Sequence, residues 1–497
     1  MAKIVSPRVM RESDEYTCEN VTDSKTLMYR AGQGIFESLE KWGKTAVVCG
    51  FGNNAGDGFV VAKLICESGG DATVFLLSEK FSESGRFYFD ICKSLGVKIN
   101  ICTKETEFSG FDTVLDCIFG TGFRGEVRGL AADIIGKINE SGAFVVSADI
   151  NSGLSAESGL AEKCVCSDLT VSIGSYKHGH FLGMAKDVMR SKKNIDIGIE
   201  IRGEYARLAE KEDFLPLIKP RKNHSNKGTY GYVGIMGGCR EYSGAVKLAG
   251  MGASALRSGA GVSKLIVPES IAPAVAPYLL EATLCPLADD AGHIIFEKEA
   301  LDSALSGLSA LSVGMGFGKS EENAKILEYL LCEKALPLII DADGLNTLAG
   351  MDKKLLRSTA CKVVLTPHPK EFERISGVSV ADVLQSPVEH AKSFAREYGV
   401  ILLLKGTSTI VTDGEKTYIC SRGSAGMATA GSGDVLSGVL TGLLGYMEYS
   451  AGTVALGAYL AGAAGELAAR EYTEIAMTAG DTAKMLPKVW KQLLEAR

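Results

Sequence analysis

The chain of 497 residues is 46% hydrophobic and 23% charged, with 58 Gly but only 12 Pro. Gly at about 12%, against a usual ~7%, with little Pro excludes collagen-like and Pro/Gly-rich disordered chains, and the apolar content is ample for packed cores. Its 53 basic and 60 acidic residues leave a net charge of −7, which gives no footprint for nucleic acid or an anionic membrane and points to small-molecule partners. At ~100–200 residues per domain, more than one domain is expected. The 13 Cys include no CxxC pair, and Cys49, Cys102 and Cys117 lie inside apolar runs, so they read as reduced, packed thiols rather than disulfide or zinc partners. The start reaches Glu12 without an apolar stretch, and residues 449–465 are 17 uncharged residues between Glu448 and Glu466. Neither a signal peptide nor a membrane span is expected, and 449–465 reads as a buried helix in a soluble, cytoplasmic protein.

From 11 to 43 the pattern is helical, with Leu27, Ala31, Ile35 and Leu39 every fourth residue and Asp23 or Ser24 as a cap. Short β-rich runs (46–49, 72–77, 97–102, 113–118, 143–148, 169–173) then alternate with helical segments at 57–68, 82–95 and 129–141. Continuously apolar strands in βα alternation predict a parallel sheet covered on both faces. Around 211–230, Pro216, Pro220 and an aperiodic polar run mark a boundary, giving domains 1–213 and 222–497. The second series has strands at 232–236, 263–267, 310–313, 337–341, 362–366 and 401–404, helices at 243–258, 321–333 and 387–398, a hairpin near Asp413-Gly414, and small-residue helices at 434–446 and 451–471. Those last helices pack internally or against a twin chain, so a homo-oligomer is an expectation. Both halves are expected to be doubly wound α/β.

In the first half, the strand 46–49 runs into Gly50-Phe-Gly-Asn-Asn-Ala-Gly-Asp-Gly58 and then a helix. Such a turn offers unpaired N–H groups to an anion, while Asn53, Asn54 and Asp57 suit a hard cation better than a pyrophosphate alone. Capping alone explains Asp57 but not the Asn pair. Strand 113–118 carries Asp116 and opens into Gly120-Thr-Gly-Phe-Arg-Gly-Glu126, and strand 143–148 ends in Asp149-Ile-Asn-Ser-Gly153. Carboxylates at strand ends of an open α/β sheet are candidate site residues.

Over residues 5–210 these motifs, with Leu27–Gly32 and Val171–Lys177, resemble the NAD(P)H-hydrate epimerase (YjeF N-terminal) family. The resemblance implies a Rossmann-like three-layer sandwich in which Asn53, Asn54, Ala55, Gly56 and Asp57, with Gly120, Thr121, Gly122, Phe123, Arg124, Gly125 and Glu126, hold the hydrate of NADH or NADPH (NADHX, NADPHX). It implies a potassium ion at Asn54, Asp116 and Ser152, and Asp149 as the residue that touches the nicotinamide end and handles the C6 proton. Ala55 stands where Gly is usual, tolerable at negative φ. Asn151 stands where Pro is usual, which predicts a looser turn around Ser152.

In the second half, Gly423-Ser-Ala-Gly-Met-Ala-Thr-Ala-Gly-Ser-Gly-Asp434 leads straight into a helix. Gly431, Ser432 and Gly433 form an anion hole with Asp434 as a base at its mouth; as a helix cap Asp434 would not explain the three small residues before it. Lys405-Gly-Thr-Ser-Thr409, Thr366-Pro-His-Pro-Lys-Glu371 and Asp341-Ala-Asp-Gly-Leu-Asn346 each end a strand, and 314–320 reads as a flexible strand-end loop contacting ligand, not a P-loop, because Val313 stands where the first Gly must. GSGD with KGxxT and DAD resembles the ribokinase-like superfamily, and the finer set (Asn226–Gly228, Met236–Gly238, Tyr242–Ala245, Leu256–Gly261, Thr366–Pro369, Gly426–Ala428) its ADP-dependent NAD(P)H-hydrate dehydratase branch over 222–495. The resemblance implies that Lys405, Gly406, Thr407, Ser408, Thr409 and Gly433 bind the adenine nucleotide, that Ala245, Gly316, His368 and Asp434 meet the hydrate, and that Asp434 activates the C6 hydroxyl for phosphorylation by ADP with Mg²⁺. Lys370, where Gly is usual, adds a charge near the substrate. Alternatives are a hydroxyethylthiazole- or hydroxymethylpyrimidine-type kinase for the second half and a non-catalytic sensing module for the first.

Overall fold

A computed structural model describes residues 2–39, 42–250 and 256–495, and the chain divides into two units, Ala2–Ala206 and a second beginning at Arg207. The break falls at Arg207 because Arg207 and Leu208 already pair, in parallel, with Tyr418 and Ile419 of the second sheet.

The first unit is a parallel sheet in the spatial order Lys98–Ile101, Asp71–Leu76, Lys44–Cys49, Thr113–Cys117, Phe144–Ala148, Leu169–Ile173, Lys192–Ile195. The order reverses between Lys44–Cys49 and Thr113–Cys117, registered Val48 to Asp116, which opens a crevice at their carboxyl ends. Alternate residues of Lys44–Cys49 serve opposite cores, Val47 and Cys49 on one face and Ala46 and Val48 on the other, which is why residues 46–49 are continuously apolar. The expected helix over 11–43 is two helices, Pro7–Asn20 and Ser24–Ser38; Asp23 Oδ1 accepts the Lys25 and Thr26 N–H groups to start the second, and residues 40 and 41 lie outside the described residues. Leu27, Ala31, Ile35 and Leu39 form its buried stripe.

The second unit orders its strands Thr283–Leu287, Val262–Pro268, Tyr232–Met236, Ala310–Val313, Pro337–Ile340, Lys362–Leu365, Ile401–Leu404, all parallel. An antiparallel hairpin, Thr409–Thr412 and Thr417–Cys420, follows. The carboxyl ends of the parallel strands thus share one edge, where Gly314, Asp341, Thr366 and Lys405 begin their loops. The loop from Gly314 is no free flap: Met315 and Phe317 are buried. Of the expected 243–258 helix, Ser243–Gly250 is helical, 251–255 lie outside the described residues and Leu256–Ser258 is a 3₁₀ turn. The small-residue helices Ser432–Leu444 and Ala451–Ala476 spend their apolar faces inside this unit, with Ala451 through Gly465 buried throughout. Among the described residues no helix is long and apolar enough to cross a membrane.

Candidate functional sites

In the first unit a cleft of about 800 Å³ opens at the switch point. Asn53, Asn54, Asp57, Gly120, Thr121, Gly122, Phe123, Arg124 and Asp149 line it, together with Asp14, Phe51 and Lys177. Ala55, Gly56, Gly125 and Glu126 do not. Ala55 is buried in the helix Asn53–Glu67 with no positive φ, so the change from Gly is free of strain. Gly56 serves packing, since a Cβ there would stand 2.4 Å from Met28 Sδ, and Glu126 pairs with Arg128 at 2.7 Å.

Asp149 is held in the left-handed region, φ 63°, a conformation that persists in a non-glycine residue only when its surroundings enforce it. Its Oδ1 accepts Lys177 Nζ at 2.5 Å and its Oδ2 the Thr121 N–H at 3.1 Å. His180 Nδ1 accepts the Lys177 N–H at 2.9 Å, so Nε2 carries the proton and donates to the Asp149 carbonyl at 2.8 Å. Burial alone would raise the Asp149 pKa, but the Lys177 ammonium holds it below the usual carboxylate range. Burial and Lys177 push His180 down to about 4, so the imidazole stays neutral. Asp57 behaves oppositely: burial, then the charges of Asp149 and Asp14, raise it well above its ordinary value.

Beneath the cleft, Asp116 is fully buried and accepts Ser147 Oγ, Ser152 Oγ, and the Ser152 and Ile118 N–H groups. Asn54 Nδ2 donates to the Phe119 carbonyl at 3.0 Å, while its Oδ1 is buried without a hydrogen-bond partner. The expected looseness at Asn151 is not found: its Nδ2 reaches Val165 O, Ser167 Oγ and Val188 O, and its Oδ1 accepts Thr170 Oγ1. Side-chain hydrogen bonds here do what proline's ring does elsewhere.

In the second unit, Asp434 lies in the first turn of Ser432–Leu444, two residues past the first helical position, and makes no capping bond. A Cβ on Gly433 would lie 3.5 Å from Lys405 Nζ and 3.6 Å from Asp341 Oδ2, so the helix start, the lysine and the aspartate converge. Lys405 donates to Asp341 Oδ1 at 2.9 Å and stands 3.8 Å from Glu371 Oε2. Burial, then Asp341, raise Asp434 to about 7. Gly316 (φ 61°) lies against Ala245, and a Cβ would come within 2.9 Å of Ala245 Cβ and 2.5 Å of Tyr242 O, so these two expected hydrate contacts are neighbours. His368 caps Pro369–Ser376 through Nδ1, which accepts the Lys370 and Glu371 N–H groups, and Nε2 of its half-exposed ring stands 3.6 Å from Glu371 Oε1. The Lys370 charge is taken up by Glu373. Gly406 and Thr407 are exposed, Ser408 is buried, and Thr409 opens the hairpin.

Two doubly wound domains, each with an aspartate and a lysine at its strand-end edge, are the architecture of a two-site α/β enzyme. Residues 24–179 match the YjeF-related protein N-terminus, and residues 233–488 match NAD(P)H-hydrate dehydratase. The bifunctional NAD(P)H-hydrate repair enzyme of Moorella thermoacetica is 34% identical, covering 96% of this chain and 94% of its own. That of Escherichia coli is 31% identical, covering 93% and 89%. Among solved structures, the ADP/ATP-dependent NAD(P)H-hydrate dehydratase from Bacillus subtilis, co-crystallised with ATP/Mg²⁺, is 28% identical with a TM-score of 0.50 over 58% of this chain and 99% of that one. The chain belongs to the family of bifunctional NAD(P)H-hydrate repair enzymes.

Proposed function

We propose that the chain repairs hydrated nicotinamide cofactors in two steps, the first unit interconverting R and S NADHX or NADPHX and the second dehydrating the S form at the expense of ADP. Most support comes from one observation: a single chain holds both an aspartate bonded to a buried lysine in a cleft and, in its other half, an aspartate in the first turn of a helix on which Lys405 and Asp341 converge.

In the first unit, Asp149 as a carboxylate takes the C6 hydroxyl proton, the C6–N1 bond breaks to leave an aldehyde and a protonated ring nitrogen, and closure on the other face reverses both proton moves with no net redox change. Lys177 keeps Asp149 ionised and aimed, and Asp57, whose carboxyl burial holds well above its ordinary range, lies on the cleft wall. The orphaned Asn54 Oδ1 suits a cation, and a potassium ion held by Asn54 with Asp116 and Ser152 would supply positive charge beneath the loops that carry the dinucleotide. In the second unit, Lys405 to Thr409 and Gly433 hold ADP, which enters with Mg²⁺, while Ala245, Gly316 and His368 flank the hydrate. Asp434 takes the C6 hydroxyl proton as that oxygen attacks the β-phosphorus; the bond to AMP breaks. Phosphate then leaves C6 and a C5 proton is lost, which restores the reduced ring. The products are NAD(P)H, AMP and phosphate. In the test, R and S hydrate are supplied with ADP and reduced-nicotinamide absorbance is followed: complete return is expected, and no return would sink the reading. A small-molecule kinase would instead leave a stable phosphorylated alcohol, visible by mass spectrometry.

A further inference from the structure

Asp341 carries a role that the sites described above do not use. Its side chain is almost wholly buried, yet all its bonds go to groups at the second site. Oδ1 accepts Lys405 Nζ at 2.9 Å and the Ala342 N–H at 2.8 Å, and Oδ2 accepts Ser437 Oγ at 2.7 Å. Ser437 lies three residues beyond Asp434, on the same face of the helix, so Asp341 ties the lysine of one strand end to the helix that carries the base. The backbone pays for this aim: Ala342 adopts φ 49°, ψ −118°, a conformation costly for any residue with a Cβ. The turn it makes sends Asp341 to Lys405 and Ser437, while Asp343 Oδ2 accepts the Gly318 N–H at 2.8 Å. Without Asp341, the nearest carboxylates left to Lys405 are Glu371 and Asp434 itself.

Resting on the dehydratase reading above, we propose that Asp341 is a positioning residue for phosphoryl transfer: it holds the Lys405 ammonium at the start of Ser432–Leu444 and away from Asp434, so that Asp434 stays free to take the hydroxyl proton. The groups that face Asp434 are Asp341 and Asp343 from one strand-end loop and Lys405 from another, with Glu371 on the far side of Lys405. Removing the Asp341 charge takes away a like-charge neighbour and releases the lysine toward Asp434, and both effects lower the pH at which Asp434 ionises.

The test uses the full chain with S-hydrate and saturating ADP with Mg²⁺. In Asp341→Asn, kcat is expected to fall at least about tenfold, and the acid limb of the rate–pH profile to move down by about one pH unit or more. Asp341→Glu keeps the charge but displaces it, so kcat falls while the limb stays near that of the wild type. A melt of the full chain that still shifts upward with ADP and Mg²⁺ reports that the second unit of each variant is folded. If Asp341→Asn lowers kcat with the limb unmoved, or leaves both within twofold of the wild type, the proposal is overturned. Should Asp341→Asn not fold, Asp341→Glu decides: a shifted limb contradicts the proposal and an unshifted limb with reduced kcat supports it. A wild type that returns no reduced cofactor with ADP would instead overturn the dehydratase reading beneath it.

Discussion

Asp149 and Asp434 each stand at the strand-end edge of a parallel sheet with a lysine near them, and the two carboxyl groups are set in opposite states. Lys177 binds Asp149 directly and holds it below the usual carboxylate range. Lys405 also lies at the second site, but its hydrogen bond goes to Asp341, and Asp434 is raised to about 7. The same residue types in similar folds therefore leave one aspartate held below the usual carboxylate range and the other raised to about 7. What decides is which carboxylate owns the lysine.

Breaking the comparison at its centre gives the largest effects. Asp434→Asn should lower ADP-dependent recovery by about 10³-fold or more while epimerisation, followed by chromatography of the R and S forms, persists. Lys177→Met leaves Asp149 buried and unpaired; epimerase activity should fall by about 10²-fold or more, and the first unit should lose roughly 3–5 kcal/mol in denaturant melts. A melt unchanged by Lys177→Met would show that the pair does not hold Asp149 in place. On pH, the dehydratase rate should decline as pH falls through about 7, where Asp434 takes up its proton, while the epimerase rate holds to lower pH because the Asp149 pKa is depressed. Coincident acid limbs would erase the contrast. Asn54→Leu removes the orphaned acceptor, so the epimerase should lose about tenfold and its response to potassium over sodium should vanish. The smallest effect is on stability. Because the folded-state pKa of Asp434 is raised, the folded chain binds that proton more tightly and stability falls as pH rises from about 4 to 7. Asp434→Asn should therefore melt a few degrees higher than the wild type at pH 8, measured by calorimetry.

The strand runs of the sheet centres were legible because both their faces are buried: Tyr232–Met236, Ala310–Val313 and Ile401–Leu404 form as expected. The edges were not. Lys192–Ile195 and Thr283–Leu287 carry lysines, Asn or Pro on half-exposed surface, so no apolar run announces them. The helix Ala479–Leu494 was hidden by Pro487 inside it. At the sites, the loops proposed to meet phosphate showed themselves through Gly and Asp, whereas Lys177 was visible only as a motif member, since its partner Asp149 lies 28 residues away and only the fold brings them within 2.5 Å. Asp14 stayed silent because it sits in an ordinary polar helix, and Asp341 was visible only as a motif member at a strand end, its lysine and serine partners appearing only in three dimensions.

The most direct test mixes R and S hydrate with ADP and Mg²⁺ and compares wild type with Asp149→Ala by reduced-nicotinamide absorbance. Two linked sites predict complete recovery for the wild type and recovery limited to the S fraction for Asp149→Ala. Recovery of both forms by Asp149→Ala at the wild-type rate, or recovery by the wild type without ADP, would contradict the account.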